Sequence, residues 1–356
     1  MTKDLRLMKG NEALAEAAIR AGADAYFGYP ITPQSEIIEY LMVENPEERT
    51  GMVVLQAESE IAAINMVYGA AGCGKKAFTS SSSPGMSLKQ EGISYLAGAE
   101  IPCVLVNVVR GGPGLGTIQP SQSDYFQSVK GGGHGDYKLI VLAPATVQES
   151  VDYMLLAFEL AFKYRNPVMI QSDGIIGQMM EKVELFPQQP RKEPDYEWAT
   201  MGRKQGEPAT FVTSLQLQAE EQEKVNLRLQ AKYREMEKNE VRFEKFHCDD
   251  AEYLLTAFGS CARITRKTME MARAKGIKVG LLRPQTLYPF PEKALNEMAD
   301  QVKGILCVEM NAGQMIEDVR LAVNGKTRVE HFGRFGGMIP NPDEILLALE
   351  QKIIGG

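Results

Sequence analysis

The 356-residue sequence has no apolar run approaching the ~20 residues that span a bilayer. Its first twenty residues lack the basic, then apolar, then small-residue succession of a cleaved leader. Metal-ligating side chains are scarce. The three histidines, His134, His247 and His331, lie far apart with no ligand spacing and read as non-catalytic. The five cysteines, Cys73, Cys103, Cys248, Cys261 and Cys307, include no Cys-x-x-Cys pair, which argues against zinc or an iron–sulfur cluster carried by this chain and for reduced, buried thiols. Positive charge is not in excess either. A formal net charge of -7 and a pI near 5.3 offer no basic face to nucleic acid or an anionic membrane. These absences point to a cytoplasmic protein whose partners are small molecules and other proteins, with no nucleic acid and no membrane.

What the sequence does have is rhythm. Short apolar runs at 25–30, 52–56, 76–80, 103–109, 139–143 and 167–172 alternate with stretches whose apolar residues recur at three- and four-residue spacing. The runs are continuously apolar, as parallel strands covered on both faces require, so the predicted fold class is α/β, a doubly wound parallel sheet. A stretch rich in Pro, Gly, Lys and Glu at 189–210 interrupts it, and 214–245 reads as a long polar helix lying across the first domain. From 252 the alternation resumes as a second, smaller α/β domain. The expected division is 1–188, a linker with the polar helix at 189–247, and 248–356.

Ligands of open α/β sheets gather beyond the carboxyl ends of the strands. There the sequence places Tyr29-Pro30-Ile31-Thr32-Pro33, Glu58-Ser59-Glu60, Ser80 to Ser83 with Pro84-Gly85, and Arg110-Gly111-Gly112-Pro113. Each also suits a purely structural part: Thr32 a turn, the serines a helix cap, Glu60 the first turn of a helix. Together they offer hydroxyls, a carboxylate and a guanidinium that can approach a substrate carboxylate through Gly-Gly. Gly69 to Lys76 nearly matches a phosphate-binding loop, but Lys76 stands where the metal-binding hydroxyl belongs and a helix precedes it. The glycines at 111–116 and 131–133 lack the spacing of a nicotinamide site.

In combination and order, Gly10–Ala13 (GNEA), 28–33 (GYPITP) with Ser35-Glu36, 57–63 (AESEIAA), 81–85 (SSSPG), 110–114 (RGGPG) with Gln122-Ser123-Asp124, and 281–291 (LLRPQTLYPFP) resemble the alpha subunit of 2-oxoacid:ferredoxin oxidoreductases over nearly the whole chain. The resemblance leans to the branched-chain type, which acts on 3-methyl-2-oxobutanoate, with the 2-oxoglutarate type a near neighbour.

The resemblance implies that the first domain binds the pyrimidine of thiamine diphosphate and that the second is transketolase C-terminal-like. The cofactor would be shared with a beta subunit; magnesium and iron–sulfur clusters would sit only in partner subunits, gamma/delta-type chains among them. Ferredoxin would take the electrons, and the substrates would be a 2-oxoacid and coenzyme A. By motif, Glu60 and Pro30 contact the cofactor, and Thr32 and Arg110 hold the substrate carboxylate. A carboxylate bonded to the ring lets the cofactor's own exocyclic nitrogen act as the base, so no histidine is needed. Glu58 is the alternative acid; the Ala/Ile/Asn pattern ending at Gly69 favours Glu60. Three other readings stay open: the same machinery on 2-oxoglutarate or another 2-oxoacid, a non-catalytic scaffold subunit, and a self-sufficient decarboxylase. For the last, no diphosphate-binding Gly-Asp-Gly…Asn motif is found.

Overall fold

The computed structural model describes residues 4–191, 193–202, 206 and 208–355, so part of the Pro- and Gly-rich stretch lies outside the described residues. The strands are β1 (Asp4–Lys9), β2 (Ala25–Gly28), β3 (Val53–Gln56), β4 (Ala77–Ser81), β5 (Val104–Val109), β6 (Ile140–Leu142), β7 (Val168–Asp173), β8 (Met180–Leu185), β9 (Phe243–Phe246), β10 (Tyr253–Thr256), β11 (Val279–Pro284), β12 (Thr286–Tyr288), β13 (Gly304–Glu309) and β14 (Arg328–Gly333).

A seven-stranded sheet runs β12-β6-β7-β5-β4-β2-β3, parallel throughout except for β12 on β6. Its central strands β5 and β7 are buried along their whole length, which is why their sequences are unbroken apolar runs. One apolar cluster fills one face. The other continues into the second domain, from Ile64 and Leu105 to Leu254 and Val319, so the two domains share a core. The second sheet, β14-β13-β10-β11-β9, is parallel except for β9.

Four strands depart from the sequence reading. β1 and β8 pair only with each other, and the three charged residues in each describe a surface ribbon rather than a buried strand. β12 follows the second domain's β11 in sequence yet adds antiparallel to the first sheet, and β9 falls in the segment read as helix. The polar helix is shorter than the sequence suggests, Ala219–Asn239, with Leu229, Tyr233 and Met236 at i, i+4 and i+7 buried against the first domain's core. Arg283, between β11's core and the first sheet, donates to Glu149 and Glu244 at 2.7 Å each and ties the lacing together.

Candidate active site

The carboxyl ends of β2, β3, β4 and β5 point to one edge, so the loops that follow them converge. The turn after β2 is built by a chain of buried hydrogen bonds. Tyr26 shares one with Ser80 Oγ at 2.7 Å, Ser80 Oγ donates to Gln34 Oε1 at 2.6 Å, and Gln34 Nε2 donates to the Tyr29 carbonyl at 3.0 Å. Asn11 of the GNEA segment closes the same turn, donating to the Pro33 carbonyl at 2.7 Å. Pro30 is half-buried in this turn and the Thr32 side chain is exposed on it.

Arg110, at the end of β5, reaches across to that turn. Its Nη1 donates to the Thr32 carbonyl at 2.8 Å and its Nη2 to the Leu115 carbonyl at 3.1 Å, while Nε is buried without a partner. The guanidinium is thus a staple between two loops with one nitrogen, Nε, left over. Its main-chain N–H donates to Ser83 Oγ at 3.0 Å.

Ser83 sits at the entry to the helix Pro84–Gly98 with φ 32° and ψ −86°, a backbone region that costs a non-glycine residue about 1–3 kcal/mol. Asn107 holds it there, accepting from the Ser83 N–H at 3.2 Å and donating to Asp124 at 3.0 Å. Burial pushes the Asp124 carboxyl up from the usual range. This Ser83–Asn107–Asp124 chain was not assigned from sequence, although a polar Asn107 inside an apolar strand was the visible signal.

Glu60 opens the helix Glu60–Gly72, whose N-cap Ser59 accepts from the Ala62 N–H. The two candidate acids part company here: Glu58 is exposed, whereas Glu60 is 7% exposed. Among the described residues nothing donates a hydrogen bond to the Glu60 carboxylate. It packs on Gly85, where an added Cβ would lie 2.6 Å from Glu60 Oε1 and 2.3 Å from Ser81 Oγ. The Ser81-to-Gly85 turn therefore touches Glu60 on one side and, through Ser83, Arg110 on the other. Ser81 Oγ and Ser82 Oγ are buried without partners.

A cavity of about 700 Å³ opens beside this turn, between Ser83, Gly112 and Asp124 of the first domain and Asn311, Gln314 and Phe335 of the second. No Lys, Arg or His among the described residues lines it. A larger depression of about 890 Å³, around Lys130, Tyr288 and Glu292, shares no residue with the site. The segment that imitates a phosphate loop is the end of a helix, and its Lys75 pairs with Glu193 at 2.8 Å. Among the described residues no group of His, Cys, Asp and Glu could hold a metal ion, and no helix is long and apolar enough to cross a membrane.

Apart from Glu60 and the exposed Asn65, the helix that carries Glu60 has apolar or small residues nearly all round, yet Ile61, Met66 and Gly69 face outward. Leu88 and Tyr95 of the next helix and Val53 and Leu55 of edge strand β3 are exposed as well. A helix so largely apolar is normally buried, so these side chains form an uncovered apolar face.

Residues 16–245 match the family model described as pyruvate flavodoxin/ferredoxin oxidoreductase, thiamine diP-bdg, and residues 251–345 match pyruvate:ferredoxin oxidoreductase core domain II. The chain belongs to the 2-oxoacid:ferredoxin oxidoreductases. It is 50% identical over 341 residues, 96% of either chain, to the ketoisovalerate oxidoreductase subunit VorB of Methanothermobacter thermautotrophicus. It is 38% identical over 374 residues, 98% of either chain, to the 2-oxoglutarate synthase subunit KorA of Methanothermobacter marburgensis. Among solved structures, a 2-oxoglutarate:ferredoxin oxidoreductase from Magnetococcus marinus with 2-oxoglutarate, coenzyme A and succinyl-CoA bound superposes with a TM-score of 0.86 at 28% identity, covering 99% of this chain and 66% of that one. A split-gene transketolase superposes at 0.62 with 14% identity over 98% of either chain, a likeness of fold alone. As an oxidoreductase subunit of this family, the chain carries a thiamine diphosphate-binding domain.

Proposed function

We propose that this chain is the alpha subunit of a thiamine diphosphate-dependent oxidoreductase that oxidatively decarboxylates 3-methyl-2-oxobutanoate to its acyl-CoA. In this reading 1–188 form the pyrimidine-binding domain, 189–247 the connector and 248–356 the transketolase C-terminal-like domain. The observation that carries it is Glu60: a buried carboxylate that receives no hydrogen bond from the described residues, at the start of an apolar helix with an uncovered face. A beta subunit covers that face and holds the diphosphate and magnesium. It and gamma/delta-type chains bring the iron–sulfur clusters that lead to ferredoxin. The complex is cytoplasmic, a compartment that keeps cysteines such as these unpaired.

The residues present fit the cofactor's ring. Gly85 leaves room for nothing larger beside Glu60, and Ser81, at the same contact, keeps an unused hydroxyl. When bound, thiamine diphosphate supplies the nucleophile for the 2-oxo carbon and takes up the electrons left when carbon dioxide departs. Glu60 bonds the ring and holds it in register, with Pro30 against it. Arg110 Nε and the Thr32 hydroxyl take the substrate carboxylate, and the Ser83–Asn107–Asp124 chain keeps the loop that presents Arg110 in place.

We place the substrate's side chain in the cavity beside Ser83, which adjoins Arg110 but is not lined by Arg110, Thr32 or Glu60. A 2-oxoglutarate side chain would bring a second carboxylate into a space lined by Asp124 and no cation, and an unpaired buried charge is costly. An isopropyl group meets no such penalty. In anaerobic assays of the co-expressed complex, kcat/KM for 3-methyl-2-oxobutanoate should exceed that for 2-oxoglutarate by about 100-fold. A ratio near one or below it would replace the substrate assignment.

A further inference from the structure

Lys89, in the middle of the helix Pro84–Gly98, is fully buried. Lysine is almost never fully buried unless its charge is compensated. Its Nζ donates to Thr79 Oγ1 at 2.6 Å and to the Ser80 carbonyl at 3.0 Å, both neutral acceptors. The charged side chain that acts on it is Glu60.

The packing of the two helices accounts for that pairing. Gly85, Lys89 and Gly92 stand at i, i+4 and i+7, on one face of their helix. A Cβ at Gly85 would come within 2.6 Å of Glu60 Oε1, and one at Gly92 within 2.7 Å of Ile64 Cγ2. Glu60 and Ile64 are themselves i and i+4 on the facing helix. Lys89 therefore lies on the stripe between two glycine contacts that let the helices close up. A helical side chain leans toward its own N-terminus, here toward Gly85 and Glu60. Lysine and glutamate do not form a direct hydrogen bond, so Lys89 leaves the carboxylate free for a ligand.

We infer that Lys89 is a positioning residue of the cofactor half-site, the counter-charge beneath Glu60 that holds this carboxylate in place for the thiamine ring. The inference rests on the reading of Glu60 as the ring's partner. Burial pushes the Lys89 amine down to about 7, and Glu60 opposes that fall. A lysine that only braced the end of β4 would need Thr79 and Ser80 but not Glu60.

The test uses the co-expressed complex stripped of cofactor. In Lys89→Met, calorimetric titration should show thiamine diphosphate binding roughly tenfold weaker. That loss should depend on Glu60: the Glu60→Gln/Lys89→Met double variant should bind no more weakly than Glu60→Gln alone. Thr79→Val, which keeps the amine and removes one anchor, should show the same loss in smaller measure, and it carries the test if Lys89→Met does not assemble. An assembled Lys89→Met with unchanged affinity, or with a loss that persists in full beside Glu60→Gln, would reduce Lys89 to a brace and overturn the inference; so would a Thr79→Val complex indistinguishable from the parent when Lys89→Met fails. Failure of the underlying reading looks different: Glu60→Gln alone would bind thiamine diphosphate and turn over like the parent.

Discussion

The Glu60→Gln complex should assemble normally and turn over any 2-oxoacid at least about 100-fold more slowly than the parent, the usual size of a lost acid–base contact. Glutamine is nearly isosteric, and Glu60 receives no hydrogen bond from the described residues, so the substitution removes charge without emptying a packed position. The helix keeps its Ser59 cap, which does not depend on residue 60. The companion change, Glu58→Gln, should leave turnover within about twofold, because Glu58 is exposed and surface substitutions of this kind have small effects. Steady-state kinetics on the two complexes decide between the acids, and a Glu58→Gln complex as crippled as Glu60→Gln would return the choice to the earlier residue.

Arg110 should show a different signature. Its methionine variant is expected to raise KM for the 2-oxoacid by at least about 30-fold, since truncating one partner of a buried charge-assisted contact costs about 2–5 kcal/mol. Two of the three guanidinium nitrogens hold loop carbonyls, at Thr32 and Leu115, and only Nε is unpartnered. Lysine keeps the charge but cannot supply three donors in that fixed fork, so Arg110→Lys should resemble the methionine variant. A lysine variant with parental KM would mean that charge alone is used and that the staple is incidental.

The parts of this fold that announce themselves in sequence are those that depend on burial. β5 and β7 are enclosed by helices on both faces and so read as unbroken apolar runs. β1 and β8 meet water, carry three charged residues each, and find their partner over 170 positions away, which no local pattern reveals. β12 has three residues and changes sheet, and its neighbour Arg283 pairs with Glu149, 134 positions earlier. Glu60, Arg110 and Thr32 could be singled out because they end strands and follow one another in a recognisable order. Lys89 could not. A lysine flanked by Leu88 and Gln90 in a helix looks like solvent-facing polarity until the glycines at 85 and 92 are seen to bring Glu60 and Ile64 against the same face. The loop strain at Ser83 is equally invisible, because it is held by Asn107 and Asp124 from two other segments.

The central claim is that this chain supplies half of an active site. The most direct test is anaerobic turnover of 3-methyl-2-oxobutanoate with coenzyme A, thiamine diphosphate, magnesium and a viologen acceptor, comparing the chain alone with the chain co-expressed with its neighbouring genes. Activity confined to the co-expressed sample is the predicted result. Turnover by the isolated chain, or none from a well-assembled complex with any 2-oxoacid, would contradict it.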